Sequence, residues 1–196
     1  MTEPIQDESP ALLEHMELCF GRIQGGFDAP TTGDAVDEVQ FIECRGGFVR
    51  GVSVVSTLGL SRFALESSTS EKKIRQELFL MTKEDQLPDN AAAVLHQVVD
   101  HLTRTNRAVL RGHAIKRPGT LFAKREFVAL YATLPIYYPN EMWTCQTEGV
   151  EVALCWLLPI TEAEWAFHAR NGWSKFENFL NEARCDLFDL NRPSLA

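Results

Sequence analysis

The side chains best suited to chemistry in this sequence are its histidines and the acids near them. His96 and Asp100 stand four positions apart on a predicted helix, so their side chains share one face. Such a pair could be a general base with its orienting carboxylate, or half of a metal site that needs three or four ligands. His113 follows Gly112 in a predicted strand, and His168 lies on a later helix. For each histidine we favour a structural role, in which a hydrogen bond satisfies the ring.

Nucleophile and phosphate-binding motifs are missing from the sequence. Gly59-Leu60-Ser61 is half of a G-x-S-x-G nucleophile elbow, but Phe63 stands where the second glycine belongs. There is no Walker A sequence, no G-x-G-x-x-G and no H-E-x-x-H. The five cysteines have no C-x-x-C spacing, which is typical of reduced thiols. We therefore predict that the protein is not an enzyme and needs no metal or cofactor. The alternative is an enzyme or small-molecule-binding protein with a cleft lined by His, Asp and Arg.

Charge is distributed unevenly along the chain. The formal net charge of −8 argues against general binding to nucleic acid or to anionic membranes. Residues 104–125 nevertheless hold seven basic side chains and no acidic one. They could form a solvated face whose cations pair with acids elsewhere, or they could contact an anion or an acidic partner. These residues are Arg104, Arg107, Arg111, Lys116, Arg117, Lys124 and Arg125.

An aromatic stretch bounded by prolines follows at residues 134–143. Tyr137, Tyr138 and Trp143 combine a large contact area with a polar tip, a composition enriched at protein interfaces. Prolines stiffen such a loop and reduce the entropy lost on binding. The three aromatic residues are therefore candidate partner-binding residues. The alternative is that they fold over an edge of the sheet and complete the core.

The clearest structural signal comes after this loop. Residues 150–158 are almost continuously apolar and too short to span a bilayer, which predicts a strand buried on both faces. Thr161 and Glu164 then have the spacing of a capping box, so a helix is expected to begin directly after the strand. A buried strand that leads into a capped helix predicts a sheet with helices packed against it.

The same stretch contains further helix signals. Ile160 and Trp165 occupy the two positions of a hydrophobic staple, and Gly172 is expected to end the helix. Ser174 and Glu177 have the spacing of a second capping box, so another helix should follow.

Apolar spacing and turn residues indicate the other elements. Gly46-Gly47 is expected to form the tight turn of a hairpin. The strands come mostly in runs, which predicts an α+β fold with a central mixed, largely antiparallel sheet flanked by helices. Helices are predicted at residues 10–20, with Ser9 as cap, and 90–105; a loop at 25–33; strands at 36–44, 48–57, 74–81, 109–115 and 127–134; and a tail at 186–196.

Length and composition are typical of one globular domain. The chain has 196 residues, 45% hydrophobic and 23% charged, so residues 1–196 are expected to form a single domain with residues 1–8 frayed. The acidic first residues contain no apolar leader segment, and we expect the protein to stay in the cytoplasm.

Several short stretches in a fixed order carry a family resemblance. The chain resembles the suppressor-of-fused (SUFU-like) domain family in its bacterial single-domain form, from about residue 52 onward. The matching stretches are STLGLS at 56–61, RQEL at 75–78, GHAI at 112–115, LP at 134–135, LPITEAE at 158–164, Gly172 and DLNRPS at 189–194.

The resemblance implies a central sheet flanked by helices and a role without catalysis. Eukaryotic relatives restrain a transcription factor by holding a short peptide as an added strand between two domains, and that site is not carried over to this chain. Bacterial relatives include immunity proteins that neutralise toxins. The hypothesis is therefore a protein-binding module, specifically an immunity-type inhibitor that occludes a toxin or effector protein. The aromatic loop could alternatively join copies of a homo-oligomer.

Overall fold

The computed structural model describes residues 10–27, 38–147 and 149–196. The helices are α1 (Pro10–Phe20), α2 (Ala91–Thr105), α3 (Glu162–Asn171) and α4 (Trp173–Ala183). The strands are β1 (Gly21–Phe27), β2 (Gln40–Gly46), β3 (Val52–Leu58), β4 (Leu65–Glu66), β5 (Lys73–Lys83), β6 (Ala114–Lys116), β7 (Phe127–Thr133), β8 (Thr144–Thr147) and β9 (Val150–Thr161).

The strands form one mixed sheet in the order β1-β2-β3-β5-β9-β7-β6. Two short strands lie off this path, since β4 pairs with β5 and β8 pairs with β9. Strand β9 pairs in parallel with β5, and the other pairings are antiparallel. The predicted α+β fold with a mixed, largely antiparallel sheet is thus confirmed.

Hydrophobic residues on the two faces of the sheet form two separate cores. Neighbours such as Leu157 and Leu158 on β9 belong to different cores, as expected when side chains alternate along a strand. Helix α2 covers one face, while α1, α3 and α4 contribute to the core of the other. Burial on both sides explains why the central strands read as continuous apolar runs. No helix in the described part of the chain is long and apolar enough to cross a membrane.

The strand and capped helix predicted after residue 150 are confirmed. Thr161 N–H donates to Glu164 Oε2 at 2.9 Å, and Glu164 N–H donates to Thr161 Oγ1 at 3.3 Å. Gly172 ends α3, with a φ of 80° that favours glycine. Trp165 is only half buried, and Lys116 Nζ lies 3.8 Å from the centroid of its ring. Trp165 packs against the core cluster that contains Ile160, and Lys116 covers its ring.

The second predicted capping box was wrong. Ser174 lies inside the first turn of α4, whose N-cap is Gly172, and no side chain caps the helix. The carboxylate of Glu177 bonds to Arg111 instead, with the Arg111 Nε 3.0 Å from Glu177 Oε1. Glu177, which its spacing assigned to the cap, thus makes a tertiary contact instead.

The hairpin between β2 and β3 is present, but its predicted tight turn was wrong. The connection spans residues 47–51, so β3 begins four residues later than expected. Gly47 is needed because a Cβ atom there would lie 2.4 Å from the carbonyl oxygen of Cys19. The loop is thereby pressed onto the end of α1, and Phe48 N–H donates to Cys19 O at 3.0 Å.

The structure corrects the strand predictions at four places. Gly21–Phe27 is strand β1, where helix termination and a loop were expected; the remaining loop and the Ser9 cap lie outside the described residues. Strands β4 and β8 were not predicted. Strand β6 begins only at Ala114, and His113 lies in the turn before it.

Candidate functional site

The aromatic loop at residues 134–143 is folded by its prolines into consecutive turns. Tyr138 N–H donates to Pro135 O at 2.9 Å, and Met142 N–H donates to Pro139 O at 2.9 Å. These turns place two neighbouring tyrosines in opposite environments. Tyr137 is 39% exposed, whereas Tyr138 is 4% exposed. The loop therefore both completes the core and presents an aromatic ring to solvent.

Tyr138 and Trp143 support the loop from its buried side. The Tyr138 ring lies 5.9 Å from Phe20 and 5.9 Å from Phe48, measured between ring centroids. Trp143 is half buried, and its indole Nε1–H donates to Tyr138 O at 3.0 Å. Burial raises the pKa of Tyr138 far above its ordinary value of 10, so the phenol stays neutral. In the free protein these two candidates hold the shape of the surface.

The accessible part of the site consists of three large apolar side chains, which we call the aromatic surface. It comprises Phe48, Ile136 and Tyr137, which are 52%, 47% and 39% exposed. Phe48 joins it from the β2–β3 loop through its contact with Tyr138. The Tyr137 ring lies 4.7 Å from Phe188. Large aromatic side chains that remain accessible on rigid turns are suited to protein contacts.

Three of the seven basic residues at 104–125 form described ion pairs with acids of the same chain. Arg104 pairs with Asp100 one turn earlier on α2. Arg111 pairs with Glu177, and its guanidinium lies 5.0 Å from the Trp173 ring. The other pair is Lys116 with Glu162, at 2.5 Å.

Among the described ion pairs, none involves Arg107 or Arg117. Contact of the basic segment with an anion or an acidic partner therefore stays a prediction. It rests mainly on these two residues, since pairing within the chain already neutralises Arg104, Arg111 and Lys116.

The candidate histidines have separate structural partners. Asp100 is engaged by Arg104, while the His96 ring lies 5.7 Å from Phe41. The buried Nε2 of His96 has no hydrogen-bond partner among the described residues, so the predicted hydrogen bond was wrong for this histidine. His113 Nδ1 accepts the N–H of Leu110 at 3.3 Å. Burial, with a smaller effect of the nearby His168, lowers the pKa of His113 below 6.5.

His168 Nε2 donates to Gly112 O at 2.9 Å, which ties α3 to the segment before β6. In the described parts of the chain, no three His, Cys, Asp or Glu residues are grouped in a way that could hold a metal ion.

A cleft of about 440 Å³ lies at the start of α2. Asp85, Asp89 and Arg125 line it together with Phe122, and none of the candidate histidines reaches it. The sequence predicts Asp89 or Asn90 as the cap of this helix, and Asn90 is its N-cap residue. Its side chain makes no capping hydrogen bond, and Nδ2 donates instead to Leu121 O at 2.9 Å. The cleft thus offers mixed charges and no nucleophile positioned by a base.

Sequence reasoning missed Glu77, a fully buried carboxylate on β5. Its Oε1 accepts the N–H groups of Gly59 at 3.0 Å and Ser61 at 2.9 Å, and its Oε2 accepts the Thr57 hydroxyl at 2.6 Å. Burial raises the pKa of Glu77, while these hydrogen bonds oppose that rise. The stretch STLGLS therefore wraps around a carboxylate of the stretch RQEL.

A second buried polar cluster joins two further matching stretches. Arg192, from the stretch DLNRPS, bonds both carboxylate oxygens of Glu164 and donates to Pro159 O at 3.1 Å. Leu195 N–H donates to the same carboxylate at 3.0 Å. The C-terminal segment, expected to be a tail, is thus part of the folded structure. The arginine in the stretch DLNRPS, near the end of the chain, was the available signal.

The described residues define an α+β protein with a mixed sheet, helices on both faces and an exposed aromatic surface. The family model for suppressor of fused protein matches residues 35–193, so the chain belongs to that family. No curated protein matches it in sequence.

Solved structures show the same fold at low sequence identity. A suppressor-of-fused homologue from Neisseria gonorrhoeae is 18% identical, with a TM-score of 0.75 and 96% of both chains covered. A chain of the Sufu–Fu complex is 14% identical, with a TM-score of 0.67 and coverage of 96% of this chain and 93% of that one. Suppressor of Fused from Drosophila is 14% identical, with a TM-score of 0.66. The match covers 95% of this chain and about half, 51%, of the Drosophila chain.

Proposed function

We propose that this chain is a non-catalytic protein-binding module, and that it is an immunity-type inhibitor which occludes a toxin or effector protein. Membership of the suppressor-of-fused family supports protein binding, since one structural relative was solved in the Sufu–Fu complex. The observation that carries the proposal for this chain is the aromatic surface. Three large apolar side chains are held accessible on two loops that turns and a close glycine contact keep rigid.

Tyr137 is the residue expected to contribute most to binding within this surface. It combines a large ring with a hydroxyl group and stands on a turn fixed by Pro135 and Pro139, so little entropy is lost when a partner binds. Tyr138 and Trp143 contribute by holding the loop in place. Removing the Tyr137 ring should cost about 2 kcal/mol or more of binding free energy if it is a hot spot.

The acidic character of the chain gives a separate contribution to association. With a net charge of −8, a basic partner would be attracted over long distances, and its association rate would fall as salt is added. Dissociation would depend on the aromatic contacts and change little with salt.

The test compares three baits in extracts of the native host: wild type, Tyr137→Ala and Val150→Ala. Tyr137→Ala should lose a protein that wild type retains, as identified by mass spectrometry. Val150→Ala is the matched control, because Val150 is also exposed and lies six residues from Trp156 along β9, about 20 Å away. A partner retained by the control and lost by Tyr137→Ala supports this surface.

The inhibitor role requires a second result. Co-expression of wild type, but not of Tyr137→Ala, should relieve the toxicity or block the activity of the captured partner. If the partner is bound and remains fully active, the inhibitor role is refuted. If Tyr137→Ala and wild type capture the same proteins, the contact surface lies elsewhere, and the basic residues Arg107 and Arg117 become the next to replace. Self-association that depends on Tyr137 would indicate a homo-oligomer.

A further inference from the structure

Trp156, at the centre of β9, has an unusual polar atom beneath the aromatic surface. Its side chain is completely buried, and its indole Nε1–H has no acceptor among the described residues. Buried Trp N–H groups usually find a partner, and an unpaired buried donor costs roughly 1–3 kcal/mol. Trp143 in the same site follows the rule by donating to Tyr138 O. Packing in the core explains the large ring at position 156, but it does not use the indole N–H.

The rings of Tyr137 and Phe188 pack against the ring of Trp156 and against each other. Its ring centroid lies 5.7 Å from that of Tyr137 and 5.8 Å from that of Phe188, and these two lie 4.7 Å from each other. Tyr137 stands in the loop after β7 and Phe188 in the irregular segment after α4. The backbone on both sides is fixed, since Tyr138 N–H donates to Pro135 O and Phe188 O accepts the N–H of Lys83. The Tyr137 side chain is 39% exposed, so a change of its rotamer on this fixed backbone would open a path to the indole.

Charged side chains lie beside Phe188, at the rim of this surface, and they determine which type of acceptor can bind. Asp186 accepts the N–H of Phe188 at 3.0 Å, and Lys83 lies between Asp186, at 3.2 Å, and Asp189, at 2.7 Å. Two carboxylates and one ammonium leave the rim with a net negative charge. A carboxylate ligand would be repelled here, whereas an uncharged amide carbonyl would not.

We propose that Trp156 is a binding residue whose indole N–H donates to an amide carbonyl of the partner, inserted between Tyr137 and Phe188. The carbonyl belongs to an Asn or Gln side chain or to the main chain of a loop. This inference rests on the proposed function, because the aromatic surface must be the contact surface. It adds a directional hydrogen bond to a surface whose other contacts are apolar, and such a bond discriminates between partners.

The donor can be tested without the partner, by NMR of protein labelled with ¹⁵N at the indole nitrogens. The probes are N-methylacetamide, a neutral amide carbonyl, and acetate, a carboxylate. N-methylacetamide should move the Trp156 indole resonance downfield, and acetate at equal concentration should not. The Trp143 resonance is the internal control, since its N–H is already bonded. The Trp156→Phe variant identifies the Trp156 resonance by its loss. The Tyr137→Ala variant removes one of the two rings that pack on Trp156, so its Trp156 resonance should respond more strongly than that of wild type.

The outcomes separate this proposal from the proposed function. If N-methylacetamide leaves the Trp156 resonance unmoved in both wild type and Tyr137→Ala, the donor role is refuted, even where Tyr137 still determines capture of a partner. An equal response to acetate refutes the selection for a neutral carbonyl. A response to N-methylacetamide alone supports the site, and it does so independently of whether the captured protein proves to be a toxin or effector.

Discussion

Replacing Arg192 with alanine should destabilise the protein more than any replacement at an ion pair on its surface. Arg192 and Glu164 have side chains that are only 3% and 0% exposed. The guanidinium bonds both oxygens of Glu164 and also reaches Pro159 O at 3.1 Å. Its removal leaves a buried carboxylate with two main-chain N–H donors, from Thr161 and Leu195. Breaking such a pair from one side costs roughly 3–5 kcal/mol, because the remaining charge is uncompensated.

That loss is a large part of the stability of an ordinary domain, roughly 5–15 kcal/mol, so it is easily measured. Urea denaturation followed by tryptophan fluorescence should show a lower midpoint with an unchanged slope. Lys83→Ala is the matched control. It breaks pairs with Asp186 and Asp189 in the same C-terminal segment, but at the surface, and should cost far less.

A double variant distinguishes the buried charge from lost packing. Glu164→Gln combined with Arg192→Met removes both charges while keeping side chains of similar length. If the uncompensated carboxylate is the cause, the double variant should be more stable than Arg192→Ala. The reasoning is refuted if Arg192→Ala is no less stable than Lys83→Ala, or if the double variant is the least stable of the three.

Three further predictions concern buried polar groups. Glu77→Gln keeps an oxygen for the two N–H groups. Since burial raises the pKa of Glu77, wild type should lose stability relative to this variant as the pH rises above 4.5; parallel pH profiles of the unfolding free energy would contradict this. His113→Asn keeps an acceptor for Leu110. Because burial lowers the pKa of His113, wild type should lose stability relative to the variant as the pH falls below 6.5, and equal slopes would refute the assignment. Thr161→Ala should cost about 1 kcal/mol in urea denaturation through the lost helix cap, and an unchanged midpoint would argue against the cap.

Local sequence signals predicted the elements whose causes are local. Helix α3 begins at its capping box and ends at Gly172, as the spacing indicated. Strand β1 was missed because its sequence, GRIQGGF, has little intrinsic strand preference, and pairing with β2 stabilises it. Glu177 was assigned to a cap, yet the fold brings Arg111 to it from 66 positions away. Contacts of that range cannot be read from spacing along one helix.

The candidate site was predicted as a stretch but not residue by residue. Composition marked the loop, whereas the opposite environments of Tyr137 and Tyr138 depend on a turn in three dimensions. Phe48 was not a candidate, because its place beside Tyr138 requires the β2–β3 loop to lie on α1. Trp156 was read as part of a buried strand, and its unpaired N–H could be found only once its neighbours were known.

The position of β9 has a consequence for how the chain folds during synthesis. This last strand is inserted between β5 and β7, and partners such as Phe79 and Trp156 are 77 positions apart in the sequence. The edge of β5 that pairs with β9 therefore remains unpaired until most of the chain has left the ribosome. Pairing over such a distance slows folding, because a long loop must close before the contacts form. The nascent protein thus passes through a state with an open, apolar strand edge, a natural target for chaperones and a point of risk for aggregation.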